Sequence, residues 1–281
     1  MPDNPTSVES PVLPLPDHRL LALTGKDALA FAQAQFMNDV TTLADGQWQW
    51  NGWLTPKGRV VALFALLRRD AETLWLLLPD HSPDVLAEGL KKYVFRSKVA
   101  MTPRPDLHAS GVWDGASGAD VREFRREGDD AISIDWPGAR RLDITPARNA
   151  DTPTDDAATM RWRDTDLRRG IPRLAESQSA QWTPQQLSLD RLRAYSVKKG
   201  CYPGQEIVAR THFLGQAKRG LVLLETATGA NPGDEIDSGG RVIGQVIASA
   251  GRVVQAVLPL DAEGALQINN APATRQEFTP T

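Results

Sequence analysis

Two uninterrupted apolar runs constrain the fold of this chain more than any other feature. They span Val60–Leu67 and Leu74–Leu78. Both are far shorter than the ~20 residues that a membrane-spanning helix needs, and apolar runs of this length between turn signals are typical of buried β-strands. The turn signal Thr55-Pro56-Lys57-Gly58 stands before the first run. We therefore predict neighbouring strands over Trp48–Leu54, Arg59–Arg69 and Thr73–Leu78.

Helical patterns alternate with these strands. Leu20–Leu23 is strand-like, and the helix that follows it places Ala28, Phe31, Ala32 and Gln35 on one face. A second helix is predicted over Asp84–Tyr93, with an apolar face made by Val85, Leu86, Leu90 and Tyr93. Further strands are predicted at Val112-Trp113 and Ala131–Trp136. This order predicts an α+β fold with helices on one face of a sheet. Trp48, Trp50 and Trp53 are expected to share one face of their strand.

The end of the chain has a different character, because short β segments are separated there by glycines. The predicted segments are Gly220–Glu225, Gly240–Ala250, Arg252–Leu258 and Ala265–Ile268. This spacing predicts a small β-barrel or sandwich of roughly 60–70 residues. We expect a loose leader over residues 1–16, a main region over 17–214, and the barrel over 215–281. The main region is expected to hold two subdomains, with a linker near 149–158 and a helix over Met160–Gly170.

Composition narrows the functional classes. The chain has 281 residues and a net charge of −3, which argues against general nucleic-acid binding. One cysteine and four scattered histidines have no metal-ligand spacing, so no metal site is expected from this chain alone. The leader contains no basic residue and is not expected to be a secretory signal. We expect a cytoplasmic protein without a membrane partner.

The single cysteine lies in an unusual segment, Lys198-Lys199-Gly200-Cys201-Tyr202-Pro203-Gly204-Gln205-Glu206. Positive charge before the sulfur and a helix start after it favour the reactive thiolate form. Any disulfide of Cys201 must be intermolecular. The alternative is a small buried residue with a packing role, which is the role of most lone cysteines.

Four other features have both a binding and a structural interpretation. The cations of the Lys57-Gly58-Arg59 turn could meet a carboxylate tail, or the turn could be a solvated hairpin. Asn38-Asp39 could bind a flat ring that presents adjacent N–H donors, or cap a helix end. Tyr202 could stack on a flat ring or pack in the core. The cluster Lys91, Lys92, Arg96 and Lys98 could meet a polyglutamate tail or tRNA phosphates, but a solvated helix end is the favoured interpretation.

The cysteine segment resembles the K-G-C-Y-x-G-Q-E signature of the YgfZ family, whose members are folate-binding proteins related to the T-protein of glycine cleavage. Other segments in the same order also resemble the family: Gln35–Val40, Pro56–Val60, Lys92–Val99, Val208–Thr211 and Leu214–Arg219. Arg169-Gly170-Ile171-Pro172 and Pro184-Gln185 match later landmarks of the family. The resemblance covers about residues 20–220.

This resemblance implies an N-terminal T-protein-like folate-binding region, with a ferredoxin-like sheet and helices, followed by a C-terminal β-barrel. It implies tetrahydrofolate as the cofactor. The implied site has Cys201 and Lys199 in catalytic roles. The implied motif residues are Gly200, Tyr202, Gly204, Gln205, Glu206 and Arg210. The implied folate-binding residues are Trp162, Asn38, Asp39, Lys57, Arg59 and Tyr202.

Three functions are compatible with these observations. The first is a tetrahydrofolate-binding accessory protein that assembles or repairs iron–sulfur enzymes, including tRNA-thiomethylating ones, with these enzymes as client proteins and a transient cluster contact. The second is a folate-dependent aminomethyl or one-carbon transferase. The third is a non-catalytic module that binds tRNA or protein, and the acidic net charge argues against direct nucleic-acid binding. The cysteine motif favours the first.

Overall fold

The computed structural model describes residues 12–114, 122–146, 155–215 and 217–280. Its first sheet has five antiparallel strands in the spatial order β3-β4-β5-β2-β6. The strands are β2 (His18–Thr24), β3 (Gln47–Leu54), β4 (Val60–Asp70), β5 (Thr73–Pro79) and β6 (Ala100–Pro103). Strands β6, β2, β5 and β4 have the order of a ferredoxin-like sheet, and β3 adds one strand at its edge.

Helices α1 (Ala28–Gln35) and α2 (Pro83–Lys91) cover one face of this sheet. Alternate residues of β2 separate the two faces, because Leu21 and Leu23 pack under the helices while Leu20 and Ala22 pack into the central core. Burial on both faces explains why the strands are apolar at nearly every position. The expected helical face is correct for Leu86 and Leu90 but wrong for Val85, which is 51% exposed.

The tryptophans of β3 do not share one face as expected. Trp48 and Trp50 lie in the central core, whereas Trp53 packs on the helical side with its ring edge toward Tyr93. The physical reason is the two-residue period of a strand, which places positions 48 and 50 on one face and position 53 on the other.

The second sheet has the order β1-β7-β10-β9-β8. Its strands are β1 (Leu13–Pro14), β7 (His108–Val112), β8 (Phe124–Arg126), β9 (Ile132–Trp136) and β10 (Arg140–Thr145). The expectation of a loose leader is wrong for residues 13–16, because Leu13 pairs with Gly111 and both Leu13 and Leu15 are buried. Residues 1–11 of that leader lie outside the described residues.

Helix α3 (Asp156–Arg168) joins the second sheet to the C-terminal barrel. The Asp155 carboxylate caps it by accepting bonds from the amides of Ala157 and Ala158. The predicted linker is therefore wrong for residues 156–158, and its part over 149–154 lies outside the described residues. A long, turn-rich segment leads from α3 to α4 (Gln205–Leu214). The part of the chain that the structure describes contains no helix that is long and apolar enough to cross a membrane.

The C-terminal strands close into a barrel in the order β11-β14-β13-β12-β15-β16. They are β11 (Arg219–Thr226), β12 (Glu235–Ser238), β13 (Arg241–Ala250), β14 (Val253–Pro259), β15 (Leu266–Ile268) and β16 (Ala271–Gln276). Strand β11 closes the ring by pairing with β14 on one edge and β16 on the other. The barrel is fixed to α3 by Gln255, whose amide donates to the Leu167 carbonyl at 2.8 Å.

Candidate functional site

Cys201 lies in a loop at the start of α4, and its side chain is exposed. Gly200, Glu206 and Arg210 are exposed as well. The thiol is therefore open to solvent and to a partner molecule, and the packing role considered for it does not hold.

Lys199 is buried, and its ammonium group binds backbone at the end of α1. Its Nζ donates to the carbonyls of Gln33 (2.6 Å), Phe36 (2.6 Å) and Asn38 (3.1 Å). A cation at these carbonyls is favoured by the negative end of the helix dipole. Burial lowers the pKa of Lys199 to about 8, against the attraction of Asp39, which raises it. The three bonds identify Lys199 as an anchor of the cysteine loop, and its predicted catalytic role stays a prediction.

Two further motif side chains brace the same loop. Tyr202 is buried and its hydroxyl donates to the Ser196 carbonyl at 3.1 Å. Burial, with a smaller effect of Tyr195, raises the pKa of Tyr202 well above its ordinary value. Gln205 donates from its side-chain amide to the Lys199 carbonyl at 2.9 Å. These bonds favour the packing role considered for Tyr202 over ring stacking.

The two glycines of the motif have different surroundings. Gly204 has a φ of 79°, and a Cβ there would lie 2.6 Å from both Gly58 Cα and Thr55 O. Gly58 in turn would place a Cβ 2.9 Å from the Cβ of Ile207. The start of α4 is thus pressed against the β3–β4 turn, backbone to backbone. A Cβ on Gly200 would have nothing within 4 Å, so the space beside this glycine is open.

The β3–β4 turn presents one exposed and one engaged cation. Lys57 is exposed. Arg59 donates from Nη1 to the Gln181 carbonyl at 2.8 Å and to Gln186 Oε1 at 3.1 Å. Of these two predicted folate contacts, Lys57 is open to a ligand, while Arg59 ties the turn to the segment before α4.

Asn38 and Asp39 form the turn after α1. The Asn38 amide donates to the carbonyls of Trp50 (2.9 Å) and Arg193 (2.7 Å). The Asp39 carboxylate accepts from Gln33 and from Thr41, whose hydroxyl lies 2.6 Å away. Burial raises the pKa of Asp39, but the bonds from Thr41 and Gln33 outweigh it and the net pKa is lowered. Both residues thus have structural roles, because Asp39 caps the 3₁₀ helix Val40–Thr42 and Asn38 joins β3 to the segment that contains Arg193.

Trp162, a further predicted folate contact, lies inside α3 and is only 1% exposed. Its ring packs on Gly111, where an added Cβ would approach within 2.4 Å, and under the Arg140 guanidinium at 4.2 Å. The edge of Trp113 completes this packing. The structure therefore places Trp162 among the second sheet's residues rather than beside the cysteine loop.

A buried ion-pair chain lies next to Trp162. Arg140 binds one oxygen of the Asp166 carboxylate at 2.7 Å, and Arg173 binds the other at 3.0 Å. Arg173 continues to Asp80 at 2.6 Å, at the end of β5. These ion pairs join the first sheet, the second sheet and α3, and each buried charge in them has a partner of opposite charge.

An aromatic cluster that sequence reasoning did not assign lies in the central core. Trp48 stacks on Trp136 with centroids 5.7 Å apart, and the rings of Trp50 and His18 meet Trp136 edge-on. All four side chains are buried. Within the described residues, Trp48 Nε1 and both ring nitrogens of His18 have no hydrogen-bond partner. Burial, followed by the charge of Arg173, lowers the pKa of His18 well below its ordinary value, which keeps the ring neutral.

This cluster combines aromatic surface with unpartnered ring nitrogens in the central core. Neutral histidine offers one donor and one acceptor, and an indole offers one donor. The side chains of Asn38, Asp39 and Arg59 already form hydrogen bonds with other groups of the protein. The signal available in the sequence was the pair Trp48 and Trp50, two positions apart on one strand.

Two observations limit the chemistry of this site. No group of three or more metal-binding side chains exists within the ranges described above. Cys201 is the chain's single cysteine, so a dithiol reaction within one chain is excluded. What remains is one exposed thiol on a loop that buried bonds hold in place.

Comparisons with known proteins give consistent results. No family model matches the chain. The "tRNA-modifying protein YgfZ" of Klebsiella pneumoniae (strain 342) is 30% identical over 229 residues, which cover 75% of this chain and 70% of that protein. The protein of the same name from Cronobacter sakazakii (strain ATCC BAA-894) is 31% identical over 247 residues, covering 80% and 75%.

The solved structure of the glycine cleavage system aminomethyltransferase T from Bartonella henselae has a TM-score of 0.73 and 16% sequence identity, covering 98% of this chain and 87% of that one. At this identity the likeness describes the fold. Sequence and structure thus agree with the resemblance carried by the cysteine motif, and the chain belongs to the YgfZ family, with the fold of the glycine cleavage T-protein.

Proposed function

We propose that this chain is a folate-binding accessory protein in tRNA modification that acts on iron–sulfur enzymes through Cys201. The observation that carries the proposal is an exposed thiol on a loop fixed by buried bonds. A residue that only fills space needs neither the exposure of Cys201 nor the anchoring of Lys199, Tyr202 and Gln205. The names of the relatives, which state tRNA modification, support the pathway.

Folate binding is supported by the T-protein fold and by the unpartnered polar atoms of the aromatic cluster. Trp48, His18 and Trp136 are the core side chains that we assign to the pterin. Lys57, which is exposed at the β3–β4 turn, would meet the carboxylate tail. One-carbon chemistry is what tetrahydrofolate supplies when bound.

The role of Cys201 follows from its exposure and its isolation. The exposed sulfur can serve as one ligand to an iron–sulfur cluster held by a client protein, and the thiol proton passes to solvent as the iron–sulfur bond forms. The open space around Gly200 leaves room for that approach. Lys199, Tyr202 and Gln205 hold the loop in position while this contact forms.

A second candidate is an aminomethyl or one-carbon transferase, which the fold likeness favours. In this case the reaction takes place at folate, and the cysteine is dispensable. The two candidates therefore differ in their need for Cys201.

The test is Cys201→Ser, expressed in a bacterium that lacks its own relative of this chain. Thiomethylated tRNA nucleosides are quantified by mass spectrometry. We expect an unfolding midpoint equal to that of the wild type, because the side chain is exposed, together with loss of the thiomethylated nucleosides. Wild-type nucleoside levels in a folded Cys201→Ser protein would contradict the accessory role and favour the transferase.

A further inference from the structure

The loop after α2 is a concentrated basic surface on an otherwise acidic protein. The segment 91–98 contains four cations and no acidic residue: Lys91, Lys92, Arg96 and Lys98, all exposed. Lys91 pairs with Glu88 at 2.6 Å. Within the described residues, the other three form no ion pair. Three cations are thus available to an anionic partner.

Phe95 stands in the middle of these cations and points into solvent. Its side chain is 88% exposed, the largest value among the large apolar residues described. Its φ is 43°, a left-handed conformation that costs roughly 1–2 kcal/mol for a residue with a side chain. Folding alone gains nothing from an exposed ring in a strained turn. Strain of this kind is found where a residue has a task.

The turn that carries Phe95 is held in place. The amide of Lys98 donates to the Asp27 carboxylate at 2.7 Å, and the amide of Ser97 donates to the Val94 carbonyl at 2.8 Å. Tyr93, two residues before Phe95, packs its ring against that of Trp53 at an interplanar angle of 81°. The loop is therefore organised before any partner arrives, which reduces the entropy that binding must overcome.

An aromatic ring flanked by unpaired cations matches the chemistry of single-stranded nucleic acid. Unpaired bases stack on exposed aromatic side chains, and lysine and arginine contact the adjacent phosphates. We propose that the loop 91–98 binds an unpaired segment of RNA, with Phe95 stacking on a base. Lys92, Arg96 and Lys98 contact the phosphates. The proposal departs from the expectation of a solvated helix end and from the expectation against direct nucleic-acid binding, because the sequence did not show that Phe95 is exposed.

The proposed surface lies one helix length from the cysteine loop. Asp27, which binds Lys98, precedes α1, and Lys199 binds the carbonyls at the other end of α1. Eight residues of helix span about 12 Å. The identification of this RNA as tRNA rests on the proposed function, whereas the binding of RNA by the loop is independent of it.

The experiment is fluorescence anisotropy of a labelled RNA hairpin with an unpaired loop, titrated with the full chain at several salt concentrations. The variants are Phe95→Ala and, as a matched control, Phe213→Ala, whose ring is 67% exposed on α4. We expect Phe95→Ala to weaken binding roughly 5- to 150-fold, the effect of losing one stacked base. Phe213→Ala should bind as the wild type does.

Salt dependence tests the cations separately. Three phosphate contacts predict a slope of log K against log salt of about −2. The triple variant Lys92→Gln, Arg96→Gln, Lys98→Gln should bring this slope close to zero. The Cys201→Ser protein should keep full RNA affinity, so failure of the cysteine proposal and failure of this one give different results.

Three outcomes would overturn the inference. They are no salt-dependent RNA binding by the wild type, equal effects of Phe95→Ala and Phe213→Ala, and binding to anionic lipid vesicles without binding to RNA. A fully paired RNA duplex that binds as tightly as the hairpin would also refute the stacking of an unpaired base.

Discussion

Replacing Gly204 with alanine tests how the cysteine loop is held against the β3–β4 turn. An alanine at φ 79° costs roughly 1–2 kcal/mol. Its Cβ would also lie 2.6 Å from Gly58 Cα and Thr55 O and 2.8 Å from Gly58 N. These are backbone atoms that no side-chain rotation can move, so overpacking adds roughly 1–3 kcal/mol. We expect Gly204→Ala to lower the free energy of unfolding by about 2–5 kcal/mol.

The matched control is Gly200→Ala, four residues earlier in the same motif. Nothing lies within 4 Å of a Cβ at this position, so we expect a change of at most about 0.5 kcal/mol. The assay is urea unfolding of both variants followed by circular dichroism. Hydrogen exchange of the peptides that contain residues 55–58 should accelerate in Gly204→Ala alone. Equal unfolding midpoints for the two variants would refute the proposed backbone contact.

Two further predictions concern the central core and the loop anchor. Tetrahydrofolate affinity, measured by tryptophan fluorescence, should be about 5-fold weaker for Trp48→Phe, because one net hydrogen bond contributes about 1 kcal/mol. Trp53→Phe, on the opposite face of β3, should bind as the wild type does. Equal affinities of the two variants would show that Trp48 does not contact folate. The pKa of Lys199 is lowered from 10.5 to about 8 in the folded protein, so between these values the unfolded chain binds more protons and stability rises with pH. In urea unfolding from pH 7 to 10, the stability of the wild type relative to Lys199→Met should therefore rise above pH 8, by at most ~1.4 kcal/mol per pH unit. Its stability relative to the exposed control Lys198→Met should not change with pH. Parallel stability profiles for the two variants would contradict the buried position of the Lys199 amine.

The structure shows which groups several motif side chains bind. Lys199, Tyr202 and Gln205 act on the loop itself, and Arg59 acts on the segment before α4. Only Cys201 among the two predicted catalytic residues is exposed. The motif therefore combines one exposed thiol, that of Cys201, with residues that hold its loop at the surface.

The amino-acid sequence by itself identified the long apolar strands, the barrel and the family, but not the short strands β1, β6 and β8. Apolar runs such as Val60–Leu67 identify buried strands, because the apolar side chains that drive burial are consecutive in the sequence. The fold class and the C-terminal closed barrel are confirmed. The sequence motif also identified Cys201, because a lone cysteine between lysines and a helix start is visible without knowledge of the fold.

Only the tertiary structure decided which side chains are free to act. Lys199 binds the Gln33 carbonyl across 166 residues of chain, and Asn38 binds Arg193 across 155. Local spacing carries no information about such contacts, so Lys199, Asn38 and Arg59 resembled ligand residues until their partners were known. The exposure of Phe95 and the burial of Trp162 have the same origin, because the packing of distant segments determines which aromatic ring remains in solvent.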